Sequence, residues 1–281
     1  MNLYLRPRSR RAVLGSLVGL STALLLHACS EEPPPSETGS ADAAEPLRIG
    51  VNTGNVPWEF KDDSGTLVGF EVDLVNAIAQ HLGRGTEFID IPFTGLFPAV
   101  LANRIDLAIA SITITVERLK TFDFPQPYYD SDQSLTVKAG SPIDHLDDMR
   151  GKVVAVESGS TGDAWAEAHR SEYGFAEIRR YEGLAPAMTD LENGSYDAYL
   201  SDIPGMQYYT KDKTTLKVVQ RIPTGEQYSL MFAKGNPLCQ ACNAVITTLK
   251  EDGTLAQIHE KWFGIPPEPN TSTAKVLDPL T

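Results

Sequence analysis

The sequence predicts an α/β protein of two similar lobes, each a Rossmann-like parallel sheet covered by helices. Apolar strands alternate with helices of about ten residues, which is typical of parallel sheets. The strand–helix–strand–helix–strand series occurs twice, near residues 47–111 and near 152–202. The chain has 281 residues, of which 42% are hydrophobic, so it can fold into two ordinary domains and is not disordered throughout.

In the first series, apolar residues recur with strand spacing and helix spacing in turn. Phe70, Leu74, Ile78 and Leu82 lie one helical turn apart, which predicts a helix. The predicted order is strand 47–51, helix 70–82, strand 86–91, helix 96–102 and the buried strand 106–111.

The second series repeats this order. It comprises strand 152–157, helix 163–170, strand 178–181, helix 185–194 and strand 198–201. Two segments of alternating apolar residues, 134–138 and 228–233, flank the series and are predicted to cross between the lobes. A last helix near 236–263 then returns to the first lobe.

The amino terminus predicts export and a lipid anchor. Residues 1–28 form a signal peptide: the apolar run 12–26 is shorter than the roughly 20 residues that span a membrane. It ends at Leu26-His27-Ala28-Cys29, which resembles the bacterial lipobox, so Cys29 is expected to carry lipid. The pair Arg10-Arg11 fits twin-arginine export as well as the general route. The protein is therefore expected outside the cytoplasm, held to a membrane by Cys29.

Two segments lack the apolar residues that a fold needs. Residues 29–46 contain no large apolar side chain and predict a disordered tether. Residues 266–281 hold four prolines without periodicity and predict a disordered tail.

Charge restricts the partners. The first 28 residues carry four arginines and no acid, so the remainder has 20 basic against 37 acidic residues. Such an acidic body argues against nucleic-acid binding and favours small molecules or proteins as partners. The five histidines are scattered and no phosphate-loop or hydrolase motif occurs, so neither metal nor cofactor is expected.

Polar residues follow the strand ends, where ligands of parallel sheets bind. Alternation after strand 106–111 places Ser111, Thr113 and Thr115 on one face, with Arg118 close behind. Hydroxyls with a guanidinium suit an amino acid, although a polar edge with a surface ion pair explains them equally well. Residues 156–162 turn through glycine into a helix, which is either an anion site or a plain N-cap. Asp202 is either a counter-charge for an ammonium or a helix cap.

Several motifs together resemble family 3 of the bacterial extracellular solute-binding proteins, the polar-amino-acid receptors of ABC importers. They are Gly69-Phe70-Glu71-Val72-Asp73-Leu74, 93–100, 105–118, 122–129 and 253–263. The resemblance covers about residues 46–265 and is greatest to glutamine-binding proteins.

The resemblance implies the fold of a type II periplasmic binding protein, in which two lobes close like a Venus flytrap. Lobe 1 would comprise 47–128 and 228–265, and lobe 2 would comprise 133–223, with hinge strands 128–132 and 224–228. The ligand would be an L-amino acid, the partner a membrane permease, and the protein a monomer.

The resemblance also implies roles for the polar residues. Arg118 would bind the α-carboxylate with Thr113 and Thr161, and Asp202 would bind the α-ammonium with the Ala110 carbonyl and Ser111. The rest of the implied ligand-binding set is Asn52, Asn55, Trp58, Phe93, Glu157 and Ser160. A carboxylate beside two amides disfavours an acidic ligand side chain, which leaves glutamine or a basic amino acid such as arginine.

The remaining cysteines, Cys239 and Cys242, form a C-x₂-C pair at a helix start. In an exported protein this spacing predicts a local disulfide.

Two other functions share features with this chain. Cyclohexadienyl dehydratases share the fold that the resemblance implies. They carry a catalytic glutamate three residues after the Asp202 position, where this chain has Gly205. A sensor would need a signalling domain, which does not follow. A binding protein without catalysis is therefore expected.

Overall fold

The computed structural model describes residues 45–280. The predicted signal peptide, Cys29 with its lipid and nearly all of the tether lie outside the described residues. Within residues 45–280, no helix has the length and apolar character needed to cross a membrane.

Lobe 1 begins with a three-stranded parallel sheet of order β4-β1-β5. Its elements are β1 (Leu47–Val51), β2 (Phe60–Lys61), β3 (Leu67–Val68), α1 (Phe70–His81), β4 (Thr86–Asp90), α2 (Phe93–Leu101), β5 (Leu107–Ala108), α3 (Val116–Leu119) and β6 (Phe122–Asp123). The order follows the prediction, but the strand expected at 106–111 is much shorter.

Lobe 2 contains a mixed five-stranded sheet. Its elements are β7 (Tyr129–Lys138), the 3₁₀ turn Leu146–Met149, β8 (Val153–Glu157), α4 (Thr161–Ala168), α5 (Arg170–Tyr173), β9 (Glu177–Tyr181), α6 (Leu184–Asn193), β10 (Ala198–Asp202), α7 (Ile203–Thr210) and β11 (Leu216–Tyr228). Strands β10, β8 and β9 are parallel, as predicted. The antiparallel strands β7 and β11 extend this sheet on one side, in the order β11-β7-β10-β8-β9.

The chain then returns to lobe 1 through β12 (Phe232–Ala233), α8 (Pro237–Glu251) and α9 (Thr254–Phe263). Ile246 and Leu255 are fully buried in the same apolar cluster as Leu74 of α1. The single helix predicted at 236–263 is two helices, because Gly253 adopts a left-handed conformation with φ of 82° between them.

Two adjacent strands lead from lobe 1 into lobe 2. Strands β7 and β11 pair antiparallel from Tyr129 opposite Tyr228 to Lys138 opposite Leu216. The segments 128–132 and 224–228, expected as hinges, lie at the lobe 1 end of this ribbon. The crossover expected at 228–233 is displaced: the long strand ends at Tyr228 instead of starting there.

The prediction of a disordered tail at 266–281 is wrong for residues 266–280. Ser272 and Thr273 are buried, and both donate hydrogen bonds to the ribbon, to Asp130 and to the Tyr128 carbonyl. The Lys250 ammonium also donates to the Lys275 carbonyl, at 3.0 Å. Because these contacts are polar and irregular, no apolar period in the sequence announces them.

The predicted disulfide is also wrong, since Cys239 and Cys242 are free thiols. Cys242 is fully buried in the apolar cluster of lobe 1, while Cys239 lies near the helix surface. Burial raises the pKa of both thiols to about 12, so both stay protonated and unreactive at neutral pH.

Candidate functional site

A partly open cavity lies between the lobes. Its wall includes residues that follow the carboxyl ends of β5, β8 and β10, the position expected for a parallel sheet. Ten of the twelve sequence-predicted residues line it: Asn55, Trp58, Phe93, Ser111, Thr113, Arg118, Glu157, Ser160, Thr161 and Asp202.

The other two predicted residues lie behind the wall. Asn52 is buried and donates a hydrogen bond of 2.8 Å to Glu157, which belongs to the other lobe. Ala110 is buried in the apolar core of lobe 1, next to Ser111.

At one end of the cavity, here called the clamp end, lie Thr113, Arg118, Thr161 and Asp202. Arg118 donates to the Thr113 carbonyl at 2.7 Å and to the Gly159 carbonyl at 3.4 Å. Its guanidinium carbon is 5.1 Å from the centre of the Phe97 ring, a residue that the sequence did not suggest. Burial lowers the pKa of Arg118 to about 10, so the group stays charged at neutral pH.

Asp202 provides the opposite charge at the clamp end. It stands at the end of β10, where its side chain makes no helix-capping bond, so the alternative role as a cap does not apply. Its carboxylate accepts hydrogen bonds from Gln133 and from the Tyr228 hydroxyl. Burial, followed by the nearby Glu226 carboxylate, raises the pKa of Asp202 to about 8. A cation placed beside it stabilises the ionised form.

Sequence reasoning missed three residues that hold the clamp end together: Gln133, Glu226 and Tyr228. Glu226 accepts hydrogen bonds from the Thr113 and Thr161 hydroxyls, at 2.7 and 2.8 Å. Gln133 donates to Glu226 at 2.8 Å and also to Asp202. These residues lie on β7 and β11, so the ribbon between the lobes also supports the site. Only the register of the ribbon brings them there.

The predicted hydroxyl row is only partly correct. Ser111 has a left-handed φ of 44°, which ends the extended strand. Ser111 and Thr113 reach the cavity, but Thr115 caps α3 by accepting a hydrogen bond of 3.1 Å from the Arg118 amide.

The part of the cavity wall formed by Asn55 and Glu157, with Asn52 behind it, is here called the Glu157 end. The Asn52 amide is the only hydrogen-bond donor to the Glu157 carboxylate among the described residues, and no Lys or Arg of residues 45–280 pairs with it. Burial raises the pKa of Glu157 to about 7. Glu157 therefore faces the cavity without a basic partner in the described part of the chain.

The remaining wall is mostly apolar or small, with Leu184, Tyr199, Ser201, Gly205 and Met206. Gly205 lines the cavity and has no side chain to transfer a proton. Across residues 45–280, no three His, Cys, Asp or Glu side chains cluster as a metal site.

Two α/β lobes joined by an antiparallel ribbon, with a polar cleft between them, define a type II periplasmic binding protein. The model for "Bacterial extracellular solute-binding proteins, family 3" matches residues 47–265. The chain belongs to this family.

Individual relatives support the assignment to this family. The L-cystine-binding protein TcyJ of Escherichia coli (strain K12) is 32% identical over 78% of this chain and 82% of its own length. An L-arginine-binding protein of Pseudomonas aeruginosa is 31% identical over 79% of this chain and 89% of its own. A solved ancestral arginine-binding protein bound to arginine is 37% identical, with a TM-score of 0.74 over 78% of this chain and 98% of its own.

Proposed function

We propose that this protein is the amino-acid receptor of an ABC importer, and that it captures a polar L-amino acid between its lobes for a membrane permease. The clamp end supplies one half-buried cation, Arg118, and one half-buried carboxylate, Asp202, as the two charges of an α-amino acid require. Relatives named for binding cystine and arginine support the same ligand class.

The ligand side chain is proposed to be basic, with arginine as the first candidate; the neutral side chain of glutamine is the alternative. The observation that carries this choice is Glu157, a half-buried carboxylate with a single amide donor. A guanidinium supplies both the charge and the donors that Glu157 lacks. An acidic side chain about 4 Å away is opposed by roughly 4 kcal/mol at an effective dielectric constant of 20.

A thermal-shift screen of the twenty L-amino acids tests this choice. We expect arginine, then lysine or glutamine, to raise the melting temperature most, because a ligand stabilises the state that it binds. The Arg118→Ala variant is the matched control and should show no shift. A largest shift with glutamate or leucine would refute the basic assignment, and no shift with any amino acid would refute the receptor function.

The receptor is further proposed to be a lipoprotein anchored through Cys29, with residues 30–46 as its tether. The support is the apolar run that ends at Cys29 and the polar segment behind it. Mass spectrometry of the mature amino terminus should find an acylated cysteine, and a Cys29→Ser variant should lose membrane association. A wild-type protein recovered free in the periplasm without an acyl mass would contradict the anchor.

A further inference from the structure

Behind Asn55 and Ser111 lie two carboxyl groups, Glu59 and Glu71, that do not reach the cavity. Both side chains are fully buried. Each uses its Oε1 atom to hold a residue of the cavity wall. Glu59 Oε1 accepts a hydrogen bond of 3.1 Å from Asn55 Nδ2, and Glu71 Oε1 accepts one of 2.8 Å from the Ser111 amide.

The other two carboxyl oxygens require a proton between them. Within residues 45–280, neither Glu59 Oε2 nor Glu71 Oε2 meets a donor, and the two carboxyl groups lie within hydrogen-bonding reach of each other. Two carboxylates are acceptors only, so this contact exists when one of them is protonated. Burial raises the pKa of both carboxyl groups, and the charge of Glu71 raises that of Glu59 further, so the pair retains a proton.

The position of this proton determines how Asn55 is oriented. With the proton between the Oε2 atoms, Glu59 Oε1 can only accept, so Asn55 must turn its Nδ2 towards it. The second Nδ2 hydrogen is used by Ser111 Oγ, at 3.0 Å. Both amide hydrogens are therefore occupied, and the Asn55 carbonyl oxygen is the atom left for a ligand.

We propose that Glu59 and Glu71 are positioning residues for specificity: their shared proton fixes Asn55 with its carbonyl towards the ligand, and Glu71 holds the left-handed backbone of Ser111. A carbonyl acceptor there favours ligand side chains that donate hydrogen bonds, such as a guanidinium. The inference rests on the proposed amino-acid receptor function and extends it to residues outside the cavity wall.

Three isosteric variants test the hydrogen-bond logic. In Glu59→Gln and in Glu71→Gln, one amide N–H replaces the shared proton, so the orientation of Asn55 is kept. In the double variant, two amide NH₂ groups face each other. The conflict is relieved when Gln at 59 and Asn55 both turn round, which presents Asn55 Nδ2 to the ligand.

We expect both single variants to bind arginine within threefold of the wild type. The double variant should lose at least tenfold in arginine affinity. It should lose little for glutamine, whose amide can rotate to offer an oxygen, whereas a guanidinium has donors only. A merely structural role would weaken both ligands equally. Titration calorimetry with L-arginine and L-glutamine measures the ratio of the two affinities.

Two results would overturn the inference. One is a folded double variant whose ratio of arginine affinity to glutamine affinity stays within threefold of the wild-type ratio. The other is a single variant that loses more than tenfold in arginine affinity. If the double variant does not fold, melting of the ligand-free single variants decides. Each should melt within about 3 °C of wild type, because each retains one hydrogen between the pair. A fall of more than about 10 °C in the melting temperature of both single variants would contradict the inference. If the wild type binds no amino acid, the receptor function fails while the melting result still stands.

Discussion

The two ends of the cavity differ in how completely their charges are held. At the clamp end, Asp202 receives two hydrogen bonds from the protein, and Glu226 behind it binds both threonine hydroxyls. At the Glu157 end, the Glu157 carboxylate accepts one hydrogen bond, from the Asn52 amide, and burial raises its pKa to about 7. The clamp end is therefore preorganised for groups that every amino acid shares. The Glu157 end keeps an unbalanced charge that one class of side chain can balance.

The largest expected effect comes from breaking the clamp end. Arg118→Ala or Asp202→Ala should each cost about 2–5 kcal/mol of affinity for every ligand, because each leaves one buried ligand charge unpaired. Calorimetry measures the loss, with Arg179→Ala, a surface residue paired to Glu177, as the control. Affinities of both clamp variants within threefold of wild type would show that the ligand charges bind elsewhere.

Breaking the Glu157 end should affect basic ligands alone. Glu157→Gln removes the charge but keeps the shape, so arginine affinity should fall by about 1.5–3 kcal/mol, while glutamine affinity changes little. Glu182→Gln is the matched control, since it removes a neighbouring but exposed negative charge. Equal losses for arginine and glutamine would contradict the division of the cavity into two ends.

A pH series sharpens the same division. Arginine needs ionised Glu157, and with a pKa of about 7 this carboxyl is mostly ionised at pH 8 and mostly protonated at pH 6. Arginine affinity should therefore fall about tenfold more than glutamine affinity from pH 8 to pH 6. The ionisation of Asp202 affects both ligands and cancels in the ratio. The Glu157→Gln variant should lose the difference, and a wild-type ratio that is flat with pH would exclude Glu157 as the counter-ion.

The smallest effect concerns stability without ligand. The pKa of Asp202 is about 8 in the fold, against about 3.9 in an unfolded chain, so the unfolded state loses its proton first. The stabilisation from protonated Asp202 is complete below about pH 4 and is lost as pH rises through 8. Asp202→Asn should thus raise the melting temperature at pH 8 by a few degrees, corresponding to about 1 kcal/mol, and by less at pH 5. A lower melting temperature at pH 8 would indicate a stabilising carboxylate.

The sequence predicted the elements of the fold well because apolar periodicity is a local property. The predicted strands and helices from β1 to β5 and from β8 to β10 are present in the expected order, and most residues proposed at strand ends line one cavity. The conformation of Ser111 could not be predicted, since the carboxylate that holds its amide is 40 residues away in the chain. Gln133 and Glu226 were missed for a similar reason: their contacts depend on strand register and on two polar residues meeting across the ribbon.

The two protonated thiols make the folded body a convenient host for a fluorescent reporter. With pKa values of about 12, Cys239 and Cys242 expose almost no thiolate at pH 7, so maleimide reagents react with them slowly. Val116 is 79% exposed and lies two residues before Arg118 of the clamp end. A cysteine placed at position 116 should be labelled selectively without replacing either native thiol. A dye there should report closing of the lobes as a change in emission when amino acid is added.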